Sequence, residues 1–360
     1  MSKRVPAKEK TTQDLRIRST QPLVAPGSLQ RQLPIGRPAA ALVSEARTAI
    51  ARIIHRRDDR LLVIVGPCSI HDPESALEYA RKLRQFARRH HGDLMIVMRV
   101  YFEKPRTIAG WKGLINDPGL DESFRINDGL RIARTLLLDV ASVGLPAANE
   151  FLDTTIGQYF ADLVSWGCIG ARTVESQVHR QLASGLSMSV GFKNRTDGDV
   201  KVAIEAMLAA ANPHWFPSLT REGEPAVLGT TGNRDTHLIL RGGSKSGPNF
   251  SREHVASTAR MLRQVHRKPA LMIDCSHANS SKDPARQPLV AADLAAQIAA
   301  GEMAIVGAMI ESNLLGGRQD LVPGAKLVRG QSITDGCLGW TDTVAVLRDL
   351  ARAVRARRRA

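Results

Sequence analysis

Residues 61–100 read LLVIVGPCSIHDPESALEYARKLRQFARRHHGDLMIVMRV, and this stretch decides the fold. It begins and ends with a short aliphatic run, which is typical of a strand buried on both faces. Between the two runs, Asp72 and Pro73 are suited to the N-cap and first position of a helix. The apolar residues that follow share one helical face: Leu77, Ala80, Leu83, Phe86 and Ala87. A strand, a helix and a second strand in this order predict a βαβ unit with parallel strands.

The same alternation continues along the chain. Further apolar runs bounded by Gly, Pro or Asn begin at residues 144, 167, 189, 237, 270 and 304, and mostly amphipathic segments separate them. Eight such units predict an α/β protein, a (β/α)8 or TIM barrel. A doubly wound open sheet is the structural alternative. It would usually carry a Gly-rich phosphate motif after its first strand, and GPCSIHD is not one.

The first 60 residues lie outside this pattern. They form a polar arm and then a predicted helix over 40–54, AALVSEARTAIARII, and we interpret residues 1–60 as an extension for oligomerisation or regulation. It would cap the bottom of the barrel or join subunits, and residues 61–360 would form the catalytic barrel. A Gly-rich, hairpin-like insert over roughly residues 218–236 lengthens the connection before strand six.

Composition limits the class of protein. At 360 residues and 43% hydrophobic content, the chain can bury a large core. Its net charge of +15 lies mostly in the ends, since residues 1–37 hold eight Lys or Arg with two acids, and residues 348–360 hold six Arg with one Asp. A solvated, partly frayed helix end is the simpler interpretation of that basic tail.

Four scattered cysteines without a CxxC pair favour a reducing compartment. No apolar run is long enough to span a membrane, so we expect a cytoplasmic protein.

Cationic residues recur where the predicted strands end. In a barrel, the carboxyl ends of the strands and the loops after them build the active site. The cations placed there are Arg99, Lys104, Arg106, Arg172, Lys193 and Arg241. So many positive charges at one rim repel each other unless an anion joins them, and Arg and Lys are the usual partners of phosphate and carboxylate. The pattern therefore predicts small anionic, phosphorylated substrates.

A second set of residues at the same rim offers metal ligands. Cys68, His277 and Glu311 supply a thiolate, an imidazole and a carboxylate, and Asp335 in the loop GQSITDG supplies a second carboxylate. Together these groups suit a divalent transition metal. Taken singly, each residue also has an ordinary structural role open to it, as a buried thiol, a loop histidine or a turn residue. No short ligand spacing links the four residues.

Long blocks of the sequence resemble 3-deoxy-D-arabino-heptulosonate 7-phosphate (DAHP) synthases of the class I alpha, feedback-regulated type. In chain order they are GPCSIHDPESALEYA, MRVYFEKPRTIAGWKGLINDP, EFLD, SWGCIGARTVESQVHRQLASGLS, VGFKN, HLILRGG, MIDCSHANSSK and GQSITDGCLGWTDT. The likeness runs from about residue 14 to the C-terminus. It implies a transferase that condenses phosphoenolpyruvate with erythrose 4-phosphate, giving DAHP and phosphate, as the first step of the shikimate pathway to the aromatic amino acids.

The resemblance also implies a role for each site residue. Ligands of one divalent metal ion, Mn²⁺, Fe²⁺, Co²⁺ or Zn²⁺, fall on Cys68, His277, Glu311 and Asp335. Phosphoenolpyruvate binding falls on Arg99, Lys104, Arg172, Lys193 and Arg241, in a pocket that Glu150 also lines. Erythrose 4-phosphate binding falls on Lys104, Pro105, Arg106, Thr107 and Asp335. In catalysis, Lys104 would protonate the developing alkoxide, and Glu150 or His277 would activate the attacking water.

An effector pocket for an aromatic amino acid is implied in the same way, and it falls on Gly157, Gln158, Leu186, Ser187, Phe216 and Ser218. Phenylalanine-sensitive members carry a proline where this chain has Gly157, and a glycine is usual where it has Arg195. A smaller residue at 157 admits a bulkier ring, so we favour tryptophan over tyrosine as the effector, with loss of feedback as the alternative. We expect a homodimer or homotetramer.

Two other functions stay open at this point. The related 3-deoxy-octulosonate 8-phosphate synthase condenses phosphoenolpyruvate with arabinose 5-phosphate on the same barrel, although the KPRT stretch and the long N-terminal extension argue against it. In a different class, the basic ends would bind nucleic acid or an acidic partner. The chain shows no aromatic interleaving or recognition helix for that role.

Overall fold

A closed β-barrel forms the centre of the molecule, which is known from a computed structural model that describes residues 12–106, 110–322 and 324–359. Its strands are β1 (Leu61–Gly66), β2 (Leu94–Arg99), β3 (Ala147–Glu150), β4 (Val164–Ile169), β5 (Ser189–Lys193), β8 (Thr236–Leu240), β9 (Leu271–Asp274) and β10 (Ile305–Glu311). Within the described ranges, their order around the barrel is β1-β10-β9-β8-β5-β4-β3-β2. The strands pair in parallel, and β1 closes the ring by pairing with both β2 and β10. The predicted TIM barrel is confirmed.

Helices pack around the barrel and precede it. In the described ranges the α-helices are α1 (Pro26–Gln32), α2 (Arg37–Ile54), α3 (Pro73–Arg89), α4 (Ile126–Ser142), α5 (Gln177–Gly185), α6 (Lys201–Ala210), α7 (Arg252–Gln264), α8 (Gln287–Ala299) and α9 (Trp340–Arg357). Short 3-10 helices lie at Ile156–Tyr159, Ala161–Leu163 and Pro284–Arg286.

Helix α3 shows how local sequence sets an element and its packing. The Asp72 carboxylate accepts hydrogen bonds from the backbone N–H groups of Glu74 and Ser75, and Pro73 occupies the first helical position. The buried face includes the predicted positions Ala80, Leu83 and Phe86, together with Ala76 and Tyr79, while Leu77 and Ala87 pack at its border. Helix α3 therefore covers the barrel with its apolar stripe, as its periodicity predicted.

Helix α2 covers the N-terminal mouth of the barrel. Its residues Ile50, Ile53 and Ile54 are buried in one cluster with Leu62 of β1 and Trp166 of β4, both near the start of their strands. The apolar stripe predicted for residues 40–54 thus packs against the bottom of the barrel. Its assignment to oligomerisation or regulation stays a prediction.

The predicted hairpin is confirmed, with different bounds. Strands β6 (Trp215–Leu219) and β7 (Pro225–Gly229) pair antiparallel between α6 and β8, which is the sixth barrel strand, so the insert begins and ends before the expected positions. Its turn uses Gly223 at φ +84°, in the left-handed region that glycine adopts readily. The carbonyl of Arg221 in this turn accepts a hydrogen bond from Gly27 of α1, at 2.6 Å. The polar N-terminal arm therefore contains a short helix that docks on the hairpin.

The basic tail is helical and ion-paired. Helix α9 continues to Arg357, Arg355 pairs with Asp93, and Arg358 donates to carboxylate oxygens of Asp93 at 2.9 Å and Asp59 at 2.6 Å. Arg355 and Arg358 are therefore held by ion pairs, so the interpretation of a frayed end is wrong for them, while Arg358 is exposed to solvent as expected. None of the helices in the described ranges has the length and apolar character needed to cross a membrane.

Candidate active site

Most of the predicted site residues meet at the C-terminal rim of the barrel. Arg99, Glu150, Lys193 and Glu311 are the last residues of β2, β3, β5 and β10. The residues expected at the ends of the other strands lie in the loops that follow β1, β4, β8 and β9, and these are Cys68, Arg172, Arg241 and His277. Because parallel strands all end at the same edge, the sheet brings these side chains to one rim.

Three of the four predicted metal ligands form a compact group. Single ligand atoms of Cys68, Glu311 and Asp335 lie within 4.8 Å of one another. The fourth residue, His277, stands beside the group, with its Nε2 atom 3.9 Å from Glu311 Oε1. Burial, and after it the Glu311 carboxylate, raise the pKa of the Cys68 thiol to about 11. One thiol, one imidazole and two carboxylates are a donor set that fits a divalent transition metal, whose binding releases the thiol proton.

The Lys104 ammonium lies among these acidic groups. Its Nζ atom donates to Cys68 Sγ at 2.9 Å and to Asp335 Oδ2 at 2.7 Å. Burial disfavours the charged ammonium, but Cys68, Glu311 and Asp335 outweigh burial and raise the pKa of Lys104 above its usual value. A positive charge is thus stabilised between the thiol and the Asp335 carboxylate, which supports the cation-binding character of the group.

The loop that carries Lys104 is held close to the barrel by a glycine. Glu103 and Gly113 form an antiparallel bridge, and the N–H of Lys104 donates to the carbonyl of Lys112 at 2.7 Å. Gly113 has φ +137°, and a Cβ atom there would lie 2.0 Å from the Phe102 carbonyl oxygen. Only glycine permits this approach, so Gly113 helps to place Lys104.

Arg99 is buried under the metal-ligand group. Its side chain is 1% exposed, and its guanidinium donates to Glu311 Oε1 at 2.9 Å and to the carbonyl oxygens of Pro67 and Cys68. The guanidinium also lies 3.7 Å from the centre of the Tyr101 ring. Arg99 therefore fixes Glu311 and the backbone that carries Cys68.

Asp274 is a site residue that sequence reasoning missed. Its Oδ2 atom lies 2.9 Å from both Lys193 Nζ and His277 Nδ1, and its Oδ1 atom accepts a hydrogen bond from Ser276 Oγ at 2.6 Å. Burial alone would raise the pKa of Asp274, but His277 and Lys193 hold that pKa well below its usual value. The signal in the sequence was an acidic residue at the end of the apolar run LMID. Asp274 orients the imidazole and neutralises the buried lysine.

Arg241 and Arg172 lie in the loops that follow two further strands, β8 and β4. Arg241 is buried, and its guanidinium donates to the carbonyl oxygens of Thr196 and Gly242, which carry no full charge. Burial lowers the pKa of Arg241, and repulsion from Arg172 lowers that pKa further, while Asp274 opposes the change. The repulsion between these two positive charges favours binding of an anion near them.

Glu150 completes the predicted pocket and depends on a neighbouring glycine. Its carboxylate passes so close to Gly170 that a Cβ atom there would lie 2.0 Å from Glu150 Oε1. Glu150 is 8% exposed, at the end of β3. A carboxylate buried beside this cationic rim is suited to accept a proton.

Of the residues predicted to bind the second substrate, Lys104 and Asp335 lie at the metal-ligand group, and the others follow Lys104 in the chain. Arg106 is exposed, and its Nε atom donates to the Trp111 carbonyl at 2.8 Å. Pro105 is partly buried next to Lys104. Thr107, which was predicted to contact the same phosphate, lies outside the described residues. Arg106 thus presents an exposed charge two residues beyond Lys104.

A separate cavity of about 950 Å³ holds all six predicted effector residues in its wall: Gly157, Gln158, Leu186, Ser187, Phe216 and Ser218. Other wall residues precede strands, as Asp162 precedes β4 and Asp235 precedes β8. The cavity therefore belongs to the N-terminal side of the barrel, away from the metal-ligand group. A Cβ atom at Gly157 would lie 3.1 Å from the ring of Phe151, which directly follows Glu150.

Comparisons with known proteins agree with this architecture. The family model described as the DAHP synthetase I family matches residues 34–348. The phenylalanine-sensitive phospho-2-dehydro-3-deoxyheptonate aldolase of Escherichia coli K12 is 57% identical over 345 residues, covering 96% of this chain and 98% of that protein. The tryptophan-sensitive enzyme of Enterobacter agglomerans is 51% identical, covering 95% and 98%. The solved structure of phospho-2-dehydro-3-deoxyheptonate aldolase from Francisella tularensis SCHU S4 superposes with a TM-score of 0.93 at 52% identity, covering 95% of this chain and 99% of that one. The chain therefore belongs to the DAHP synthetase I family.

Proposed function

We propose that this chain is a DAHP synthase, which condenses phosphoenolpyruvate with erythrose 4-phosphate and releases phosphate. The observation that carries the proposal is one rim where Cys68, Glu311 and Asp335 converge within 4.8 Å around Lys104, beside the arginines Arg172 and Arg241. Family membership supports the same activity, since the relatives named above are DAHP synthases.

Phosphoenolpyruvate would bind on the inner part of the rim. Burial, and after it repulsion from Arg172, lower the pKa of Arg241, and a phosphate or carboxylate bound near both arginines would relieve that repulsion. Lys193 and Arg99 are already compensated by Asp274 and Glu311, so they would position the substrate with less net charge. Lys104 would contact the same substrate at the side of the metal-ligand group.

A divalent metal would be held by Cys68, His277, Glu311 and Asp335. Once bound, it supplies a Lewis acid toward the aldehyde oxygen of erythrose 4-phosphate. The donor chemistry of the four residues fits such an ion, and Arg99 and Asp274 hold two of them in place through Glu311 and His277.

The residues of the rim suit each step of the condensation. Carbon 3 of phosphoenolpyruvate attacks the aldehyde carbon, and the Lys104 ammonium donates a proton to the oxygen that becomes the new hydroxyl. Positive character then develops at carbon 2, where a water molecule adds. Glu150 or His277 accepts the proton of that water, and phosphate leaves as the bond between carbon 2 and the bridging oxygen breaks.

Erythrose 4-phosphate would bind along the stretch that follows Lys104. Arg106 would hold its phosphate, with Pro105 and Thr107 beside it and Asp335 near the aldehyde end. The exposure of Arg106 supports this assignment, because an exposed guanidinium is free to meet the phosphate of an incoming substrate.

The cavity on the N-terminal side would bind an aromatic amino acid as feedback effector. Its volume of about 950 Å³ lies within the range of small-molecule sites, and it combines Phe216 and Leu186 with polar groups such as Ser187. Gly157 adds no side chain to the wall, which favours a large ring, so we propose tryptophan ahead of tyrosine. The relatives include tyrosine-sensitive and tryptophan-sensitive enzymes, both 51% identical to this chain, and so they do not separate these choices.

We also propose a cytoplasmic homodimer or homotetramer. On the hairpin, Trp215 and Val227 are 75% and 68% exposed, and a second copy of the chain would cover them. Light scattering of the purified protein should give a mass of two or four chains; a monomer at micromolar concentration would contradict this assembly.

The test of the activity is a steady-state assay of phosphate release from phosphoenolpyruvate with different sugar phosphates. We expect release with erythrose 4-phosphate and much slower release with arabinose 5-phosphate. Faster turnover of the pentose would instead identify a 3-deoxy-octulosonate 8-phosphate synthase. The same assay with each aromatic amino acid added in turn tests the effector, and tryptophan should inhibit most strongly.

A further inference from the structure

A second cavity lies at the N-terminal mouth of the barrel, and its wall is rich in arginine. It has a volume of about 450 Å³, with apolar wall residues that include Ile53 of α2 and Ile305, the first residue of β10. Its charged wall residues are Arg52, Arg56, Arg57, Arg60 and Arg357, with Asp58 and Asp59. It shares no lining residue with the effector cavity, and β10 runs from it to Glu311 at the opposite rim.

The two carboxylates of this cavity are already engaged. Asp58 accepts hydrogen bonds from the Arg60 guanidinium, the shortest at 2.6 Å. Asp59 is paired with Arg358, at 2.6 and 2.8 Å. Both carboxylates are therefore neutralised by Arg60 and by Arg358 from the basic tail.

Four arginines of the wall are left without a carboxylate. Within the described ranges, the guanidinium groups of Arg52, Arg56, Arg57 and Arg357 have no carboxylate oxygen within 4.0 Å. Arg52 and Arg357 donate to the backbone carbonyls of Arg57 and Asp59. Backbone carbonyls carry no full charge, so these four groups lack a close ion pair; Arg56 and Arg357 repel each other, while Glu302 attracts Arg56 and Asp59 attracts Arg357 at longer range.

Arg56 shows the strain most clearly. Its Nε atom is buried and has no hydrogen-bond partner in the described structure, and its backbone has φ +54°. An unsatisfied buried N–H and a left-handed non-glycine residue are each unfavourable. Burial, together with repulsion from Arg263 and Arg357, lowers the pKa of Arg56, although Glu302 opposes the change. A buried donor beside several positive charges is the arrangement that an anionic ligand would satisfy.

We infer that this cavity binds a small polyanion that carries phosphate groups, at a site distinct from the rim and from the effector cavity. Guanidinium forks match phosphate oxygens in charge and geometry. The site is concave and has apolar residues such as Ile53 and Val306 in its wall, so it suits a compact ligand with a nonpolar body better than an extended nucleic-acid strand. The inference does not depend on the reaction proposed for the rim.

Calorimetric titration with inorganic pyrophosphate tests the site on the full-length protein. We expect Arg56→Gln and Arg57→Gln each to weaken pyrophosphate binding about tenfold or more, because each removes a charge-assisted contact. The KM for phosphoenolpyruvate should stay unchanged in both variants. Arg57 is exposed, so its variant gives an answer even if Arg56→Gln folds poorly. Arg352→Gln is the matched control, since Arg352 lies on α9, pairs with Asp349 and does not line the cavity.

Three results would overturn the inference. One is the absence of pyrophosphate binding to the wild-type protein. A second is wild-type affinity in both Arg56→Gln and Arg57→Gln. The third is binding that is lost in Arg172→Ala but kept in the two cavity variants, which would place the pyrophosphate at the catalytic rim.

Discussion

Replacing Asp274 with asparagine should strongly destabilise the protein, because it leaves a buried charge without its partner. Asp274 is 0% exposed and Lys193 has a side chain only 4% exposed, and their ion pair measures 2.9 Å. Removing one partner of such a pair costs about 3–5 kcal/mol, which lowers the folding constant by about two to four orders of magnitude. Urea unfolding followed by circular dichroism would measure the loss as a shift of the midpoint at constant slope. Glu205→Gln is the control, since Glu205 and Lys201 are exposed and 3.9 Å apart, and it should change stability by less than about 1 kcal/mol.

A second substitution separates the charge effect from a loss of packing. Lys193→Met in the Asp274→Asn background removes the uncompensated ammonium and keeps most of its volume, so the double variant should be more stable than Asp274→Asn alone. A loss below about 1 kcal/mol in Asp274→Asn, or additive losses in the double variant, would refute the buried-pair argument.

The other predictions concern binding and regulation. Cys68→Ser should lower the metal content of the purified protein, measured by mass spectrometry, without a change in its circular dichroism spectrum; full metal occupancy would remove Cys68 from the ligand set. Arg172→Ala should raise the KM for phosphoenolpyruvate roughly 10- to 100-fold, since one charge-assisted contact contributes about 1.5–3 kcal/mol. Arg106→Ala should instead raise the KM for erythrose 4-phosphate. If each variant affected the KM of the other substrate, the proposed positions of the two substrates would be wrong. Gly157→Ala should weaken inhibition by the aromatic effector with little change in kcat, because the added Cβ atom would lie only 3.1 Å from the Phe151 ring. An unchanged inhibition curve would show that Gly157 does not contribute to effector binding.

The barrel follows from local sequence signals, but the bounds of two strands required tertiary information. We predicted the third strand from residue 144, whereas it begins at Ala147, because Gly144 at φ +80° ends helix α4 instead. The fourth strand begins at Val164, ahead of the predicted residue 167. The sequence pattern predicts a strand boundary at Gly167, yet this residue lies inside the strand, where a Cβ atom would be 3.0 Å from the Phe151 ring. A glycine that makes room for a distant ring looks like a strand boundary when only neighbours in sequence are known.

Helix α1 was missed for a related reason. It has seven residues, and a helix of that length is unstable on its own. It is anchored by long-range contacts, such as the hydrogen bond from Gln30 Nε2 to the Gln158 carbonyl at 2.9 Å. Nothing in the sequence around Pro26 indicates those partners.

Some residues of the site could be predicted from local sequence, whereas the contacts between them could not. The strand ends at Glu150, Lys193 and Glu311 were predictable, because an ionisable residue after an apolar run marks the end of a buried strand. The contact between Lys104 and Asp335 joins residues far apart in the chain, and so does the pair of Lys193 with Asp274. These contacts depend on how the barrel closes, which a single sequence does not specify.

Phosphate release by metal-stripped protein tests the central claim most directly. Protein treated with a chelator and then freed of it would be assayed with phosphoenolpyruvate and erythrose 4-phosphate, before and after addition of Mn²⁺. We expect almost no release before addition, and recovery with Mn²⁺ that also requires erythrose 4-phosphate. Full activity without added metal, or release that does not depend on erythrose 4-phosphate, would contradict a metal-dependent condensation at this rim.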